Sequence, residues 1–165
     1  MRIQAYTVER REELLALSLR AWEPVFADMR PAVPGFVYES FYPAGWRARQ
    51  SADLSALLDD QPGDVAVALD GETAVGWICV TLHPEDSMGE IHVLAVDPRH
   101  QRRGIATLLM EYAYEIVRAA GMRMVMVETG GDPGHAAARA TYEDAGFQRW
   151  PVARYFKDLA PETDS

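Results

Sequence analysis

Apolar and polar positions change their spacing several times along the chain, and each change predicts a secondary-structure element. Apolar residues recur at helical spacing over residues 12–26, 45–58, 105–120 and 135–145, which predicts four helices. Alternating or continuously apolar runs predict strands over residues 3–8, 65–69, 73–82, 88–96, 124–127 and 152–156. Asp70-Gly71, between the second and third of these strands, is a strong hairpin signal. Pro24 should weaken the end of the first helix, and residues 31–36 should form a loop.

The order of these elements predicts an α/β fold with a mixed sheet. Hairpin-connected strands come first and a β-α-β-α-β alternation follows, so we expect one twisted sheet with helices on both faces. The continuously apolar strand at residues 124–127 should be buried on both faces. A chain of 165 residues is long enough for one domain with a full core. We assign that domain to residues 1–159 and expect residues 160–165 to be a polar tail.

Composition narrows the class of protein. Hydrophobic residues make up 48% and charged residues 25% of the chain, as in ordinary globular proteins. The first residues lack an apolar signal region and no apolar run approaches the length of a membrane span, so a cytoplasmic location is expected. Cys79 is the single cysteine, and its apolar neighbours predict a small buried side chain rather than a nucleophile.

The charge balance is strongly acidic. Sixteen Lys and Arg residues against 25 Asp and Glu residues give a formal net charge of −9 and a pI near 4.9. Such a surface repels nucleic acids and anionic membranes, so we expect neither as a partner. It attracts cations, which favours a small cationic molecule as the ligand.

One segment carries a specific chemical signal. A strand ending at Val96 is followed by Asp97-Pro98, a basic loop with Gly104, and the start of a helix. Free backbone N–H groups and the helix dipole make such a junction a phosphate-binding site, and Arg99, Arg102 and Arg103 can supply counter-charge. The loop is neither a Walker A sequence nor a GxGxxG dinucleotide loop. A phosphorylated cofactor of another kind is therefore predicted.

Two motifs identify the family that this chain resembles. Gln101-Arg102-Arg103-Gly104-Ile105-Ala106 fits the pattern Q/R-x-x-G-x-G/A of motif A in the GNAT (Gcn5-related N-acetyltransferase) superfamily. Farther along, Ala138-x-x-x-Tyr142-x-x-x-Gly146-Phe147 is similar to motif B of that family. An arginine cluster on an ordinary solvated helix start is the alternative, but both motifs occur in the family's order. The resemblance implies acetyl-coenzyme A as cosubstrate and a central strand pair that splays apart.

The resemblance also implies which residues contact the cofactor. The pyrophosphate would lie on the loop and helix start formed by Gln101, Arg102, Arg103, Gly104, Ile105, Ala106 and Thr107. Backbone groups of Leu94, Ala95 and Val96 would pair with the pantetheine arm and polarise the thioester carbonyl. On the motif B helix, Ala138 would line the cofactor, while His135 stands where the family has an asparagine that contacts pantetheine. A solvent-exposed His135 without that contact is the alternative.

Five further residues are candidates for catalysis or for binding the acceptor. The resemblance implies that the Tyr142 hydroxyl protonates the departing thiolate, whereas the alternative is an aromatic side chain that only packs. Glu90 and His92 are candidate bases for the acceptor ammonium, since the strand period of two places them on one face. They could instead be a strand-edge carboxylate and a half-buried core histidine. Glu128 or Asp132, after strand 124–127, could serve as base or bind a cationic acceptor.

The acceptor site is expected between residues 22 and 46. This segment is rich in aromatic residues, among them Trp22 and Phe26, with acidic residues interspersed, a composition that suits a cation. The alternative is that these aromatics anchor a long loop to the core. The four histidines are scattered and there is no HExxH or CxxC, so no metal site is predicted.

The leading hypothesis is an N-acetyltransferase that acts on a small cationic amine through direct attack in a ternary complex. Gly131-Asp132-Pro133 loosely resembles the aminoglycoside 3-N-acetyltransferases of this fold, so an aminoglycoside-type acceptor and a role in antibiotic resistance are favoured. The alternatives are a protein N-terminal or lysine acetyltransferase, and a non-catalytic acetyl-CoA sensor. GNAT proteins are often dimers, and the apolar strand at residues 152–156 is a candidate for a homodimer interface.

Overall fold

The sheet organises the molecule. The computed structural model describes residues 1–162, and in it five strands lie side by side in the order in which they occur along the chain. The first four pair antiparallel, whereas the fourth and fifth pair parallel. The predicted mixed sheet is therefore confirmed. The strands are β1 (Arg2–Ala5), β2 (Val65–Asp70), β3 (Thr73–His83), β4 (Met88–Val96) and β5 (Met124–Val127).

Helices cover both faces of the sheet, as expected. They are α1 (Arg11–Met29), α2 (Gly35–Phe41), α3 (Trp46–Asp60), α4 (Ile105–Ala119) and α5 (Ala136–Asp144), with single 3-10 turns between several elements. On one face, α1 and α3 pack on Trp77, Val93 and Ala95 to form the first core layer. On the other face, α4 packs on Ile78 and Ile91 in a second layer.

The amphipathic pattern of α4 explains how closely it approaches the sheet. Its buried positions Leu109, Ala113 and Val117 recur every four residues and therefore form one stripe. A Cβ added to Gly89 of β4 would lie 2.2 Å from Cγ2 of Val117, so this contact requires a residue without a side chain. The position of α4, whose first turn follows the basic loop, is thus set by close packing on β4.

Two predicted boundaries in the N-terminal half differ from the structure. Helix α1 continues through Pro24 to Met29. The backbone hydrogen bond that proline forfeits is offset by burial of the following turn, in which Phe26 is 6% exposed. The predicted loop at residues 31–36 contains a 3-10 turn (Arg30–Ala32) and then the start of α2. Pro34 precedes that helix, a position at which its missing N–H has no cost.

The C-terminal prediction is wrong. Residues 152–156 form no strand, and Trp150, Val152 and Tyr155 are each more than 80% exposed. An alternating pattern yields a strand only where a neighbouring edge is within hydrogen-bonding reach, and this segment does not reach the sheet. As a result β5 is the last strand in the described part of the chain, and Met124 is 48% exposed. The prediction that β5 is buried on both faces is therefore wrong as well.

The ends of the chain need only brief description. Of the tail predicted at residues 160–165, the structure describes residues 160–162, which are exposed, and the rest lies outside the described residues. Within those limits, no helix combines the length and the apolar character that a membrane span requires.

Candidate active site

Strands β4 and β5 diverge halfway along β4. Their parallel pairing runs from Met88↔Met124 to Ile91↔Val127 and stops there, while β4 continues to Val96. On its other side β4 remains paired with β3 up to that residue. Over residues 92–96, one edge of β4 therefore has no strand partner in the described chain, and its N–H and C=O groups are available to a ligand. Leu94, Ala95 and Val96 lie on this edge, which matches the splayed pair expected from the resemblance.

A β-bulge at His92 marks the point of divergence. The register with β3 passes from Cys79↔Val93 to Val80↔Ile91, so His92 is an extra residue in β4. Ile91 accordingly packs in the α4 layer, whereas Val93 packs in the opposite layer. The period of two does not hold across a bulge, and the argument that placed Glu90 and His92 on one face fails.

The two residues also differ in their surroundings. Glu90 is half-buried, and its Oε2 lies 2.8 Å from Nε2 of His83 at the end of β3. This hydrogen bond with Glu90 is the main cause of a raised pKa of His83. His92 is exposed, which does not fit the half-buried core residue considered as its alternative role.

The basic loop and the start of α4 form the second wall of the site. Gly104 is the N-cap of α4 with φ +76°, and no atom lies within 4 Å of the position of its missing Cβ. Glycine is therefore required there by backbone conformation alone. Arg102 also adopts a positive φ, +62°, which is unfavourable for a residue other than glycine. Residues with such a strained backbone conformation cluster in functional loops. The first amide that bonds within the helix is that of Leu108, to Gly104 O, so the preceding N–H groups of α4 are available to an anion.

Arginines near this loop are engaged in different ways. Asp97 is fully buried and accepts hydrogen bonds from Nη2 of Arg99 and of Arg20, both at 2.7 Å. The hydrogen bonds from Arg99, followed by that from Arg20, hold the pKa of Asp97 well below its usual range. Arg99 is thus hydrogen-bonded to Asp97, and its role as counter-charge for a phosphate stays a prediction. Arg103 forms an exposed ion pair with Asp70 at 3.1 Å, and Arg102 is exposed on the loop.

Helix α5 carries Tyr142, which packs beside the α4 core layer. The Tyr142 ring packs on Phe147 at a centroid distance of 5.7 Å and contacts the α4 core layer. Burial raises the pKa of Tyr142 above its ordinary value, so the phenol stays protonated at neutral pH. Ala138 lies one helical turn before Tyr142 and therefore on the same face of α5.

The loop before α5 contains a histidine–carboxylate pair. Nδ1 of His135 lies 2.6 Å from Oδ2 of Asp132, whose other oxygen accepts the N–H of Gly134. Burial opposes ionisation of Asp132, but the hydrogen bond and charge of His135 and two backbone N–H groups bring its pKa below the usual value. Arg139 donates to the carbonyl oxygens of Gly130 and Asp132 and closes the loop.

Aromatic side chains of α1, α2 and α3 form a separate wall. Phe26 is buried, stacks on Trp46 at 4.5 Å and meets the edge of Tyr42 at 5.2 Å. A cavity of about 330 Å³ opens beside them and is lined by Arg30, Tyr38, Glu39, Tyr42, Pro43, Gly45 and Trp46. The predicted aromatic cluster is therefore present, with Phe26 behind the cavity wall.

The charge of this wall is mixed. Arg30 lies over the Tyr38 ring at 5.2 Å and Arg47 over the Trp46 ring at 4.7 Å. These arginines already occupy ring faces of Tyr38 and Trp46 on which a cationic ligand would stack. Glu39 is the carboxylate that lines the cavity.

The remaining candidates lie outside these walls. Trp22 packs against the first core layer, and Glu128 is exposed just beyond the end of β5. Cys79 is buried, and burial raises its pKa to about 12, which makes a thiolate nucleophile unfavourable at neutral pH. Within residues 1–162, no cluster of three or more His, Cys, Asp or Glu side chains has the arrangement of a metal site.

Sequence reasoning missed three contacts in this region. Arg20 reaches Asp97 from a position 77 residues away, and no local pattern identifies it. The bond between His83 and Glu90 depends on the β3–β4 register, and the loop closure by Arg139 depends on the turn geometry. Asp97-Pro98 was visible as a strand end, but the complete burial of Asp97 was not.

Comparison with known proteins agrees with this geometry. The model of the acetyltransferase (GNAT) family matches residues 24–147. A mycothiol acetyltransferase of Beutenbergia cavernae is 43% identical over 77 residues, which cover 47% of this chain and 24% of that protein. The mycothiol acetyltransferase of Rhodococcus opacus is 27% identical over 146 residues, covering 83% of this chain and 47% of that protein. The chain thus spans less than half the length of these relatives.

Solved structures share the fold. A PaiA N-acetyltransferase of Thermoplasma acidophilum in complex with coenzyme A has a TM-score of 0.65 at 15% identity, over 92% of both chains. An aminoglycoside 6'-N-acetyltransferase of Acinetobacter haemolyticus has a TM-score of 0.64 at 16% identity, over 98% of this chain and 100% of the other. The ribosomal-protein-S18-alanine N-acetyltransferase of Escherichia coli has a TM-score of 0.65 at 17% identity, over 96% and 84%. With the family model matching well over half of its residues, the chain belongs to the GNAT family of acetyltransferases.

Proposed function

We propose that this protein transfers the acetyl group of acetyl-CoA to a primary amine of a small molecule, within one domain at residues 1–159. The observation that carries this proposal is the unpaired edge of β4 over residues 92–96, which leads directly into the free N-terminus of α4. An extended arm that contains amide groups can pair with the free edge of β4, and a pyrophosphate can bind to the N-terminus of α4. Both halves of coenzyme A therefore find matching chemistry along one continuous path.

The residues of this path fit the cofactor that the family uses. Backbone groups of Leu94, Ala95 and Val96 would bind the pantetheine arm, with an N–H of Ala95 or Val96 directed at the thioester carbonyl. N–H groups of the loop and helix start would bind the pyrophosphate, and Ala138 would flank the arm from α5. The loop and helix residues are Gln101, Arg102, Arg103, Gly104, Ile105, Ala106 and Thr107.

The reaction requires two proton transfers. The acceptor ammonium first loses a proton to a base, and its nitrogen lone pair then attacks the thioester carbon. The C–S bond breaks, the thiolate takes the proton of the Tyr142 hydroxyl, and the second proton released by the nitrogen restores that hydroxyl. Burial keeps Tyr142 protonated, which suits the acid role. Glu90 and His92, beside the divergence of β4 and β5, are the bases indicated by the sequence.

The acceptor is proposed to be a small amine that carries other polar groups. Glu39 lines the cavity and offers a carboxylate to an ammonium group, while Arg30 on the same wall suits an oxygen-rich partner. A net charge of −9 favours cations such as aminoglycosides, whereas the curated relatives described above bear the name mycothiol acetyltransferase. Phe26, Trp22, Glu128 and Asp132 would support this wall or its rim rather than all touch the amine.

The test is release of coenzyme A thiol from acetyl-CoA with a panel of amines. The panel contains aminoglycosides, polyamines, the acceptor of mycothiol acetyltransferases, and peptides with free N-termini or lysines. The protein's own thiol should add little background, because Cys79 is buried with a pKa of about 12. Acetyl-CoA binding is measured in parallel by calorimetry.

The outcomes separate the candidate functions. Turnover with a small amine supports the proposal and names the acceptor class. Turnover with peptides alone would assign the site to protein acetylation, and binding without any turnover would indicate an acetyl-CoA sensor. Failure to bind acetyl-CoA would refute the proposal altogether.

We also propose that the protein forms a homodimer. Trp150, Val152, Tyr155 and Leu159 are each more than 80% exposed, and β5 presents an unpaired edge in the described chain. Pairing of this segment with β5 of a second copy would bury both. Light scattering should give a dimer mass, and Val152→Asp should shift it to monomer, whereas Glu115→Gln on the exposed face of α4 should not. A monomeric wild type, or a dimer insensitive to Val152→Asp, would refute the proposal.

A further inference from the structure

We propose that His135, oriented by Asp132, is the base that takes the proton from the acceptor ammonium. The inference rests on the proposed function and names a residue within its site. It assigns a catalytic role to a side chain that family resemblance implicates only in holding the cofactor.

The first argument is the hydrogen bonding of the ring. Because an ionised carboxylate only accepts hydrogen bonds, Asp132 at 2.6 Å fixes the proton of the neutral imidazole on Nδ1. Nε2 is then the basic nitrogen. A carboxylate behind Nδ1 also stabilises the imidazolium that forms when Nε2 takes a proton. Asp132 is thus a positioning residue.

The second argument is the rigidity of the loop. The side chains of His135 and Asp132 are only 23% and 13% exposed. Arg139 donates to two carbonyl oxygens of the loop, at 2.6 and 2.7 Å. A Cβ on Gly134 would lie 2.2 Å from the carbonyl oxygen of Val25, so the loop is pressed onto α1. A base held in this way needs little reorganisation before proton transfer.

The third argument is location between the two walls. The loop of His135 packs on α1, the helix that carries Phe26 of the aromatic wall. Burial is the main cause of the raised pKa of Tyr42, and the charge of Asp132 adds to that shift. Tyr142 follows His135 by seven residues, about 10 Å along a helix, and packs on the α4 side. His135 and Tyr142 therefore lie on the α1 side and on the α4 side of the loop and helix that carry them, respectively.

The charges around the pair are few and identified. On the loop and helix that carry His135, the charged groups beside it are Asp132 and Arg139. The guanidinium of Arg139 donates to carbonyl oxygens of the loop. The half of α1 against the loop carries Glu23 and Asp28, of which Glu23 pairs with Arg47 at 2.5 Å. In the aromatic wall beyond α1, the titratable group on which the charge of Asp132 acts is the phenol of Tyr42. By contrast, Glu90 is already hydrogen-bonded to His83, with 2.8 Å between Oε2 and Nε2.

The proton path balances. His135 Nε2 takes one proton from the ammonium and later releases it to solvent. The nitrogen forms the C–N bond while the C–S bond breaks, the thiolate receives the proton of Tyr142, and the second proton lost by the nitrogen restores the Tyr142 phenol. Transfer to an ammonium acceptor thus releases one net proton per amide formed.

The experiment compares His135→Asn and Asp132→Asn with wild type over pH 5.5–9, using the amine that wild type acetylates. Asparagine can keep a hydrogen bond to the cofactor but cannot accept the proton. We expect His135→Asn to lower kcat about 10²-fold or more and to abolish the rise of kcat/KM with pH, with KM for acetyl-CoA unchanged. Asp132→Asn should shift that rise to lower pH, because the imidazole loses its carboxylate. Glu115→Gln, exposed on α4, is the matched control.

A second readout does not depend on the acceptor. Nitrogen NMR of the His135 ring should show the Nδ1–H tautomer in wild type. In Asp132→Asn, that tautomer should no longer be the dominant form. An Nε2–H tautomer in wild type would overturn the proposal, as would a raised KM for acetyl-CoA with an intact pH profile in His135→Asn. Absence of turnover with every amine would instead refute the proposed function, and with it this role.

Discussion

Replacing Asp97 by asparagine tests the contact that joins the cofactor loop to α1. Asp97 is fully buried and accepts hydrogen bonds from Arg20 Nη2 and Arg99 Nη2, each at 2.7 Å, and from the Arg99 amide at 3.0 Å. Asparagine preserves the shape, removes the charge and turns an N–H group toward the guanidinium groups. The turn that leads into the phosphate-binding loop would lose its anchor.

The expected cost follows from the exposure of the partners. Breaking a fully buried ion pair costs about 3–5 kcal/mol, because a charge is left without partner. Arg20 and Arg99 are 39% and 63% exposed, so water can replace part of the lost interaction. We therefore expect the free energy of unfolding to fall by about 2–3 kcal/mol, and the melting temperature by about 4–12 °C.

The pH dependence has a defined sign. The arginines hold the pKa of Asp97 far below its usual value, so its stabilising contribution is present above the unfolded pKa, about 3.9. It is lost as the pH falls below that value toward the depressed folded pKa. The difference between wild type and Asp97→Asn should accordingly be constant near neutrality and shrink below about pH 4.

Urea unfolding at pH 7 is the assay, with Asp86→Asn in the exposed turn after β3 as control. The control should change the free energy of unfolding by less than about 0.5 kcal/mol. A double-mutant cycle with Arg20→Ala should give a coupling energy of about 1 kcal/mol or more. The reasoning is refuted if Asp97→Asn unfolds with the same midpoint and m-value as wild type. In the intact fold, the variant should also bind acetyl-CoA more weakly, as measured by calorimetry.

Three further substitutions test other parts of the site. Tyr142→Phe should lower kcat about 10²-fold or more with an unchanged KM for acetyl-CoA, and unaltered turnover would remove the acid role. Gly104→Ala should cost about 1–2 kcal/mol in urea unfolding, since φ is +76° and the added methyl meets no atom; wild-type stability would contradict this. Gly89→Ala should cost about 1–3 kcal/mol in the same assay, because its Cβ lies 2.2 Å from Val117 Cγ2. Adding Val117→Ala should recover part of that loss, and no recovery would show that the clash is not the cause.

Local chemistry was enough to predict much of this protein. The hairpin at Asp70-Gly71, the amphipathic stripe of α4 and the strand–loop–helix junction at Gly104 each depend on residues close in sequence. Tyr142 was identifiable for the same reason, since its spacing from Ala138 and Gly146 lies within one helix and its cap. Backbone conformation and helical period act over a few residues, and a linear sequence displays them directly.

The tertiary structure decided what depends on distant partners. The bulge at His92 and the divergence of β4 from β5 arise from the register between strands, which alternation along one strand cannot reveal. Residues 152–156 have a strand pattern but no strand, because pairing requires an edge within reach. Arg20 meets Asp97 across 77 residues, and the loop of Asp132 and His135 packs against α1, more than 100 residues earlier in the chain. These contacts depend on packing of the whole sheet and its helices, and they determine which candidate side chains can act together.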